Sequence, residues 1–354
     1  MVYLQAITPE DLVQAVSGIT LQEARKIISA VHRSDFLPAS VRMTRRTSVE
    51  AVRIAGSIPR LVIEGVYRSE IDPFVKYALV TPDKLSIETV RIPLEHQQRF
   101  SACVSSQAGC GLACAFCATG KMGLRRNLES WEIIEQARTI KRDLNSTKGE
   151  RLHGIIFQGM GEPLANINNV TKAIQVLSEP CALAIDSRNI TVCTAGIPDG
   201  ILQLARDVPN VRLAISIGSP RAKIRSKLMP ISKVFPLEAT LEAAVEHTRL
   251  TRLAPMWALT LLDGINDTED DARLLAGLAL DFARRTGIRP RISTIAYNPT
   301  GPASHDIFSP TSFERERAFR SVLHGFGLAT HRRYSGGGDI NAACGQLACR
   351  QSGG

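Results

Sequence analysis

Cys110, Cys114 and Cys117 form a C-x3-C-x2-C triplet within CVSSQAGCGLACAFCATGKMG (103–123), and Cys103 stands seven residues upstream of it. Three thiolates this close together can hold a metal centre. Structural zinc takes four ligands, usually as two close pairs, so the triplet alone would leave a closed zinc site incomplete. His96 and His153 flank it at a distance and read as surface or hydrogen-bonded structural groups. A cubane iron–sulfur cluster suits the triplet better, because thiolates are its usual ligands and three of them leave one iron free to bind something else. A lone structural metal loop is the alternative.

Other residues point to a ligand. In GMGEP (159–163) the glycines let the backbone approach a bound molecule, and the Glu162 carboxylate could receive a cationic amine. A plain tight turn is the competing reading. Cys344 lies in AACGQL after the SGGGD stretch (335–339), which reads as flexible, as does the terminal QSGG. A lone cysteine there would ordinarily be a buried structural one. Cys181 and Cys349 have no neighbours that suggest chemistry.

These groups need elements to position them. From about residue 99, β-branched runs alternate with segments of helical period, the pattern of successive βα units and a parallel sheet. The strands fall at 99–106, 153–158, 189–194, 211–217, 256–262 and 291–297. Helices are predicted at 128–144, 169–179, 197–207, 236–250, 268–287 and 311–327, with cap chemistry at Asn266-Asp267-Thr268-Glu269 and left-handed stops at Gly287 and Gly327. Six units are too few for a closed eight-stranded barrel and enough for a partial (βα)6 barrel, with its ligand site at the C-terminal strand ends. The cysteine triplet, GMGEP, CTAG (193–196), SIGS (216–219), LDGIND (262–267) and YNPTG (297–301) follow the six strands in that order. Residues 12–33 read as one or two helices, and 60–69, 75–82 and 84–93 as an antiparallel meander. The α/β fold therefore divides near residue 95 into a small N-terminal accessory domain (1–95) and the barrel with its C-terminal segment (96–354).

The 354 residues carry 43 bases and 34 acids, a net charge of +9 and a pI near 9.3, which makes a polyanion a plausible partner. Arg221, Lys223, Arg225, Lys227 and Lys233 cluster without an acid in 219–233, and Lys121, Arg125 and Arg126 follow the triplet. A solvated basic face is the plain reading of either cluster. No apolar run approaches the roughly 20 residues of a membrane span, and MVYLQAITPEDL lacks the basic and apolar regions of a leader, so cytoplasmic residence is expected. Eight cysteines in that compartment are not a disulfide framework.

CVSSQAGCGLACAFCATGKMGLRRNL, GMGEPLANINNV, LAIS, LDGIND, NP and DINAACGQL, in this order, resemble the RlmN/Cfr family of radical S-adenosylmethionine (SAM) RNA adenine methyltransferases, across roughly residues 85–348. The resemblance implies a radical SAM barrel with a [4Fe–4S] cluster on Cys110, Cys114 and Cys117, and two SAM per turnover. It implies that Gly161 and Glu162 meet the SAM amino group, and that Ser216, Asn298 and, by position, Cys193 face SAM. Cys344 would be methylated and carry the methyl group, Cys103 would resolve the intermediate through a disulfide, and Glu88, in IETVRIP, would accept the ring proton. A solvent-facing strand glutamate is the equal rival for Glu88. The implied substrate is an adenine of 23S rRNA, and of tRNA in RlmN-like enzymes; the implied electron donor is a flavodoxin or ferredoxin.

C2 and C8 of adenine are poor nucleophiles, which is why a radical route would be used. GMGEP, with its proline, leans towards C2, while SGGGD, lacking the usual R-G-D-D string, leans away; C2 is slightly favoured over Cfr-like C8 methylation. Two departures stand out: Cys193 where relatives carry serine, and Gly218 where they carry histidine. The alternatives are a radical SAM enzyme acting on a peptide or small molecule, and a non-catalytic metal-stabilised RNA-binding module.

Overall fold

The β-branched runs do form strands, and their order in the sheet decides where the chemistry gathers. The computed structural model describes residues 1–147, 149–300 and 306–348; Cys349, QSGG and Gly301 of YNPTG lie outside them. The chain begins with β1 (Val2–Tyr3), α1 (Pro9–Ala15), α2 (Leu21–Ser34), α3 (Arg46–Ala55) and β2 (Gly56–Ser57). A meander of β3 (Val62–Arg68), β4 (Val75–Val80) and β5 (Ser86–Pro93) follows, then β6 (Arg99–Val104) and a hairpin of β7 (Gln107–Cys110) and β8 (Gly123–Asn127) around α4 (Ala118–Lys121). The βα units continue with α5 (Ser130–Leu144), β9 (Arg151–Phe157), α6 (Ile167–Ser178), β10 (Ile190–Thr194), α7 (Pro198–Asp207) and β11 (Arg212–Ser216). They end with α8 (Ala222–Leu228), α9 (Leu237–Thr251), β12 (Met256–Leu261), α10 (Glu269–Thr286), β13 (Arg291–Ala296), α11 (Phe313–Gly325) and β14 (Thr330–Arg332).

One ten-stranded sheet has the order β14-β13-β12-β11-β10-β9-β6-β5-β4-β3. The strands from β6 to β14 pair in parallel, so all six expected barrel strands end on the same side. The crossover helices cover the sheet, and the strands read as apolar runs because both faces are buried. Thr268 caps α10 through a reciprocal pair with Asp271, and Gly287 ends it at φ 73°. The sheet also runs across the boundary expected near residue 95. β5 pairs antiparallel with β6, Val90 opposite Cys103, and Leu79 and Ile87 of the meander share a core with Phe157 and Trp257. The N-terminal helices instead have a core of their own, including Leu12, Ile27, Ile28, Val31 and Val52. They dock on α5 through buried Arg138, which donates to Asp35 at 2.5 Å and lies 3.3 Å from His32 Nδ1. No helix among the described residues is long and apolar enough to cross a membrane.

The SGGGD stretch is tied down rather than loose. Asp72, in the β3–β4 turn, accepts from Tyr334 Oη at 2.8 Å and from Gly337 N–H at 2.9 Å, while Asp339 accepts from Ser69 Oγ and Glu70 N–H. Glycine content suggested flexibility, but carboxylates from a distant turn and from the segment itself satisfy the backbone and order it. Asp72→Ala should raise amide exchange at Gly337 by about tenfold or more and cost on the order of 1 kcal/mol overall. Unchanged protection at Gly337, read by hydrogen exchange with mass spectrometry, would show that the turn does not hold the segment.

Candidate active site at the C-terminal ends of the parallel strands

Strand β7 ends at Cys110, and the chain then turns through Cys114 and Cys117 before α4. The turn is held from three sides: Cys117 N–H donates to Cys114 O at 3.1 Å, Ala115 N–H to Leu228 O at 2.9 Å, and Ala118 N–H to Gly345 O at 2.8 Å. The three cysteines line one cavity. Burial pushes the Cys110 thiol up to about 11 and raises Cys114 further, with the neighbouring cysteines adding to both. No three His, Cys, Asp or Glu side chains among the described residues are arranged to hold a single metal ion. A cubane places its thiolates on separate irons, so three thiols around a common cavity meet its need. Ligation would deprotonate them outright.

The same cavity takes in residues from the next strand ends. Gly161, Glu162, Cys193 and Ser216 all line it, together with Thr194, Ala195 and Met229. Gly161 has φ +97° and a Cβ there would come within 2.5 Å of Gln107 Cβ, so only glycine permits this turn. Glu162 is buried, with Ala195 N–H on Oε2 at 2.8 Å and Leu164 N–H on Oε1 at 3.0 Å; burial still raises its pKa. An anionic carboxylate in that setting favours a cationic guest. Cys193 is buried, its thiol pushed up to about 12 by desolvation. Asn298 is not among the cavity-lining residues. Its Nδ2 donates to Ser335 Oγ at 2.8 Å and to Cys344 O at 3.0 Å.

Cys344 is where two cavities meet. It lines the cluster-side cavity and also a second one lined by Cys103, Phe74, Val90 and Arg333. Cys103 and Cys344 are both free thiols, so the disulfide implied by the family resemblance is not a feature of this structure. Burial pushes Cys103 up to about 12, with Cys344 adding to the rise, and burial likewise raises Cys344. The Arg333 guanidinium acts in the opposite direction on both. Arg333 donates to Gln158 Oε1 at 2.6 Å, and Gln158 Nε2 donates to Cys344 Sγ at 3.2 Å. Glu88 is buried rather than facing solvent. Lys76 Nζ lies 3.0 Å from its Oε1 and Ala348 N–H donates to Oε2 at 3.0 Å. It lines neither cavity and touches the chain four residues beyond Cys344.

Sequence reasoning missed Gln158, Arg333 and Arg225. Gln158 directly precedes GMGEP, and its position after a strand was the available signal. Arg333 follows a three-residue strand too short to read from periodicity. Arg225 is buried, Arg221 pairs with Asp271, and Arg126 bridges Asp83 and Glu132, so these three of the eight bases in the two clusters are engaged within the fold.

Residues 104–275 match the family model of the Radical SAM superfamily. The chain is 54% identical to a probable RNA methyltransferase of Sorangium cellulosum (strain So ce56), over 96% of this chain and 90% of that protein. It is 41% identical to the dual-specificity RNA methyltransferase RlmN of Syntrophobacter fumaroxidans (strain DSM 10017 / MPOB), over 77% of this chain and 75% of that protein. Its fold superposes on a radical SAM methyltransferase from Sphaerobacter thermophilus with a TM-score of 0.85 at 31% identity, covering 98% of this chain and 99% of that one. The radical SAM fold carries a [4Fe–4S] cluster and SAM, which is the chemistry the cysteine triplet and its cavity accommodate. The chain thus belongs to the RlmN/Cfr family of radical SAM RNA methyltransferases.

Proposed function

We propose that the chain methylates a ring carbon of adenine in RNA, C2 in preference to C8, through an S-methylated Cys344, with 23S rRNA as substrate and tRNA as a second one. The observation that carries the reading is the place of Cys344, which lines both the cavity of the cluster cysteines and the cavity of Cys103. RNA enters through relatives named as RNA methyltransferases. Phosphate contacts would come from the N-terminal helices and surface bases of a chain with net charge +9.

Held by Cys110, Cys114 and Cys117, a [4Fe–4S] cluster would supply the electron that cleaves SAM to a primary carbon radical. Gly161 and Glu162 would receive the SAM amino group, with Cys193 and Ser216 as cavity walls; Asn298 reaches SAM if its amide leaves the Cys344 carbonyl. Cys344 first takes the methyl of one SAM as a thiolate: the S–C bond forms and S-adenosylhomocysteine leaves. Arg333 works against burial to make that thiolate accessible. A second SAM is spent in removing one hydrogen atom from this S-methyl group. The resulting methylene adds to the adenine carbon, and the adduct gives up the ring proton together with one electron, for which the cluster oxidised in cleaving SAM would be the acceptor. Glu88 can take that proton only if Ala348 N–H releases Oε2. Cys103 thiolate then attacks Cys344 Sγ, the C–S electron pair passes to the methylene carbon, and that carbon takes a proton to become methyl. The Cys103–Cys344 disulfide left behind needs two electrons before the next turnover. A flavodoxin or ferredoxin would serve as the electron source.

Nucleosides from RNA treated with reconstituted protein and SAM should contain 2-methyladenosine, resolved from 8-methyladenosine by chromatography and mass spectrometry. Cys344→Ala should abolish both the product and protein S-methylation. Cys103→Ala should keep S-methylation and leave protein covalently joined to RNA. Glu88→Gln should keep S-methylation and slow product formation by about 100-fold or more. Methylated adenosine made by Cys344→Ala would end this reading.

The resting thiols also set a pH dependence. Cys103 and Cys193 titrate near 9 when unfolded and about 12 when folded. Above pH 9 the unfolded chain binds fewer protons, so the cluster-free protein keeps this stability below pH 9 and loses it as pH rises towards 12. Each thiol contributes a slope of about 1.4 kcal/mol per pH unit. Cys103→Ala should be less steep by one such thiol in melts between pH 9 and 11. Equal slopes in variant and parent would contradict the burial of Cys103.

A further inference from the structure

Arg225, on α8, is fully buried and has no carboxylate within ion-pair distance among the described residues. Its partners are neutral: Nε donates to Ile217 O at 2.9 Å, Nη2 to Ala195 O at 2.6 Å, and Nη1 to Ser232 Oγ. Neutral acceptors satisfy the fork without cancelling its charge, and a buried cation left uncancelled is costly. Burial accordingly draws its pKa down to about 10, and what opposes that fall is Cys114 first and exposed Glu238 second. The other buried arginine among the described residues is treated differently: Arg138 meets Asp35 and Glu135. The chain around Arg225 is bound to the cysteine loop, since Leu228 O accepts from Ala115 N–H, beside Cys114. Arg225 does not line the cluster-side cavity, so it acts on that site through its field and through the peptides it holds.

We propose that Arg225 is a positioning residue whose buried positive charge is the counter-ion of the thiolate-bound cluster and raises the cluster's reduction potential. Three thiolates give a [4Fe–4S] centre a net charge of −1 when oxidised and −2 after one electron is added. A fixed cation on the helix whose Ile224 and Leu228 pack with Cys114 favours the second state more than the first. Arg225 also couples the two halves of the site: its Nη2 holds Ala195 O, and Ala195 N–H holds Glu162 Oε2. The inference rests on the cluster reading of the site and not on the choice of RNA target.

The test is a dithionite titration of anaerobically reconstituted full-length protein without RNA, with iron and sulfide analysis and the reduced cluster followed by electron paramagnetic resonance. Arg225→Met should lower the reduced-to-oxidised ratio at a given potential about tenfold, a shift of about 59 mV for one electron. Arg225→Lys keeps the charge and loses the fork, and should stay within about twofold of the parent. If Arg225→Met takes up no iron, retention of iron and potential in Arg225→Lys carries the proposal. It is overturned by a Met variant with full iron and the parent's potential, by equal shifts in Met and Lys, or by loss of the cluster in Lys. A parent chain that binds no iron would defeat the cluster reading itself, and this inference with it; loss of RNA methylation alone would defeat only the proposed reaction.

Discussion

The hydrogen bond from Ala118 N–H to Gly345 O is the constraint on which the rest of the site depends. It fixes the C-terminal segment to the turn that carries the three cysteines, two parts of the chain more than two hundred residues apart. Thr119 Oγ1 on Leu347 O, Asn298 on Cys344 O and Gln346 on Pro299 O complete the attachment. The contacts to Gly345 O, Leu347 O and Cys344 O all end on backbone carbonyls, so Cys344 is placed by its main chain, and its thiol accepts from Gln158 Nε2. In the proposed reaction, a group that is methylated on one side and resolved on the other has to sit in a wall. Parallel strands make this possible, because they deliver the cysteine turn, Glu162, Cys193 and Ser216 to one side of the sheet.

The meander supplies the other half of the arrangement. Because β5 pairs with β6, Cys103 faces Val90 across the strand pair, and both line the second cavity. Ser105, just beyond β6, then ties the corner together: its Oγ donates to Glu88 O and accepts from Met160 N–H, and its N–H and C=O bond the Gln136 amide. That corner is buried, and burial is what raises Cys103 towards 12. A protonated buried thiol is a poor nucleophile and a poor target for stray oxidation. Arg333, held on Gln158, is the local charge that opposes this inertness for both thiols.

Much of this could be read from the residues alone, for physical reasons. Long β-branched runs and helices with explicit caps, such as Thr268 to Gly287, declare their period over many residues. The triplet declares itself by spacing. What escaped were features of short range or of tertiary origin. Helix α3 follows Arg45, which gives it no side-chain cap, and β14 has only three residues. SGGGD is ordered by carboxylates that belong partly to a distant turn. Arg225 sat in a run that reads as a basic face, and no local pattern distinguishes an arginine folded inwards from one in solvent.

Gly218 illustrates how a departure from the family can be absorbed. Its φ of +69° suits glycine, and a Cβ there would meet Met229 Sδ at 2.5 Å, so the histidine that the family resemblance implies at this position cannot be accommodated without moving Met229. Met229 lines the cluster-side cavity, which makes this part of the wall apolar where an imidazole would be polar. The backbone is nevertheless firmly placed, since Gly218 O accepts from Asn266 Nδ2 and Ile217 O accepts from Arg225. The change therefore removes a side-chain donor while retaining the strand-end main chain. In the proposed reaction, recognition at this edge would come from shape and peptide groups, with Glu162 and Ser216 as polar groups lining the same cavity.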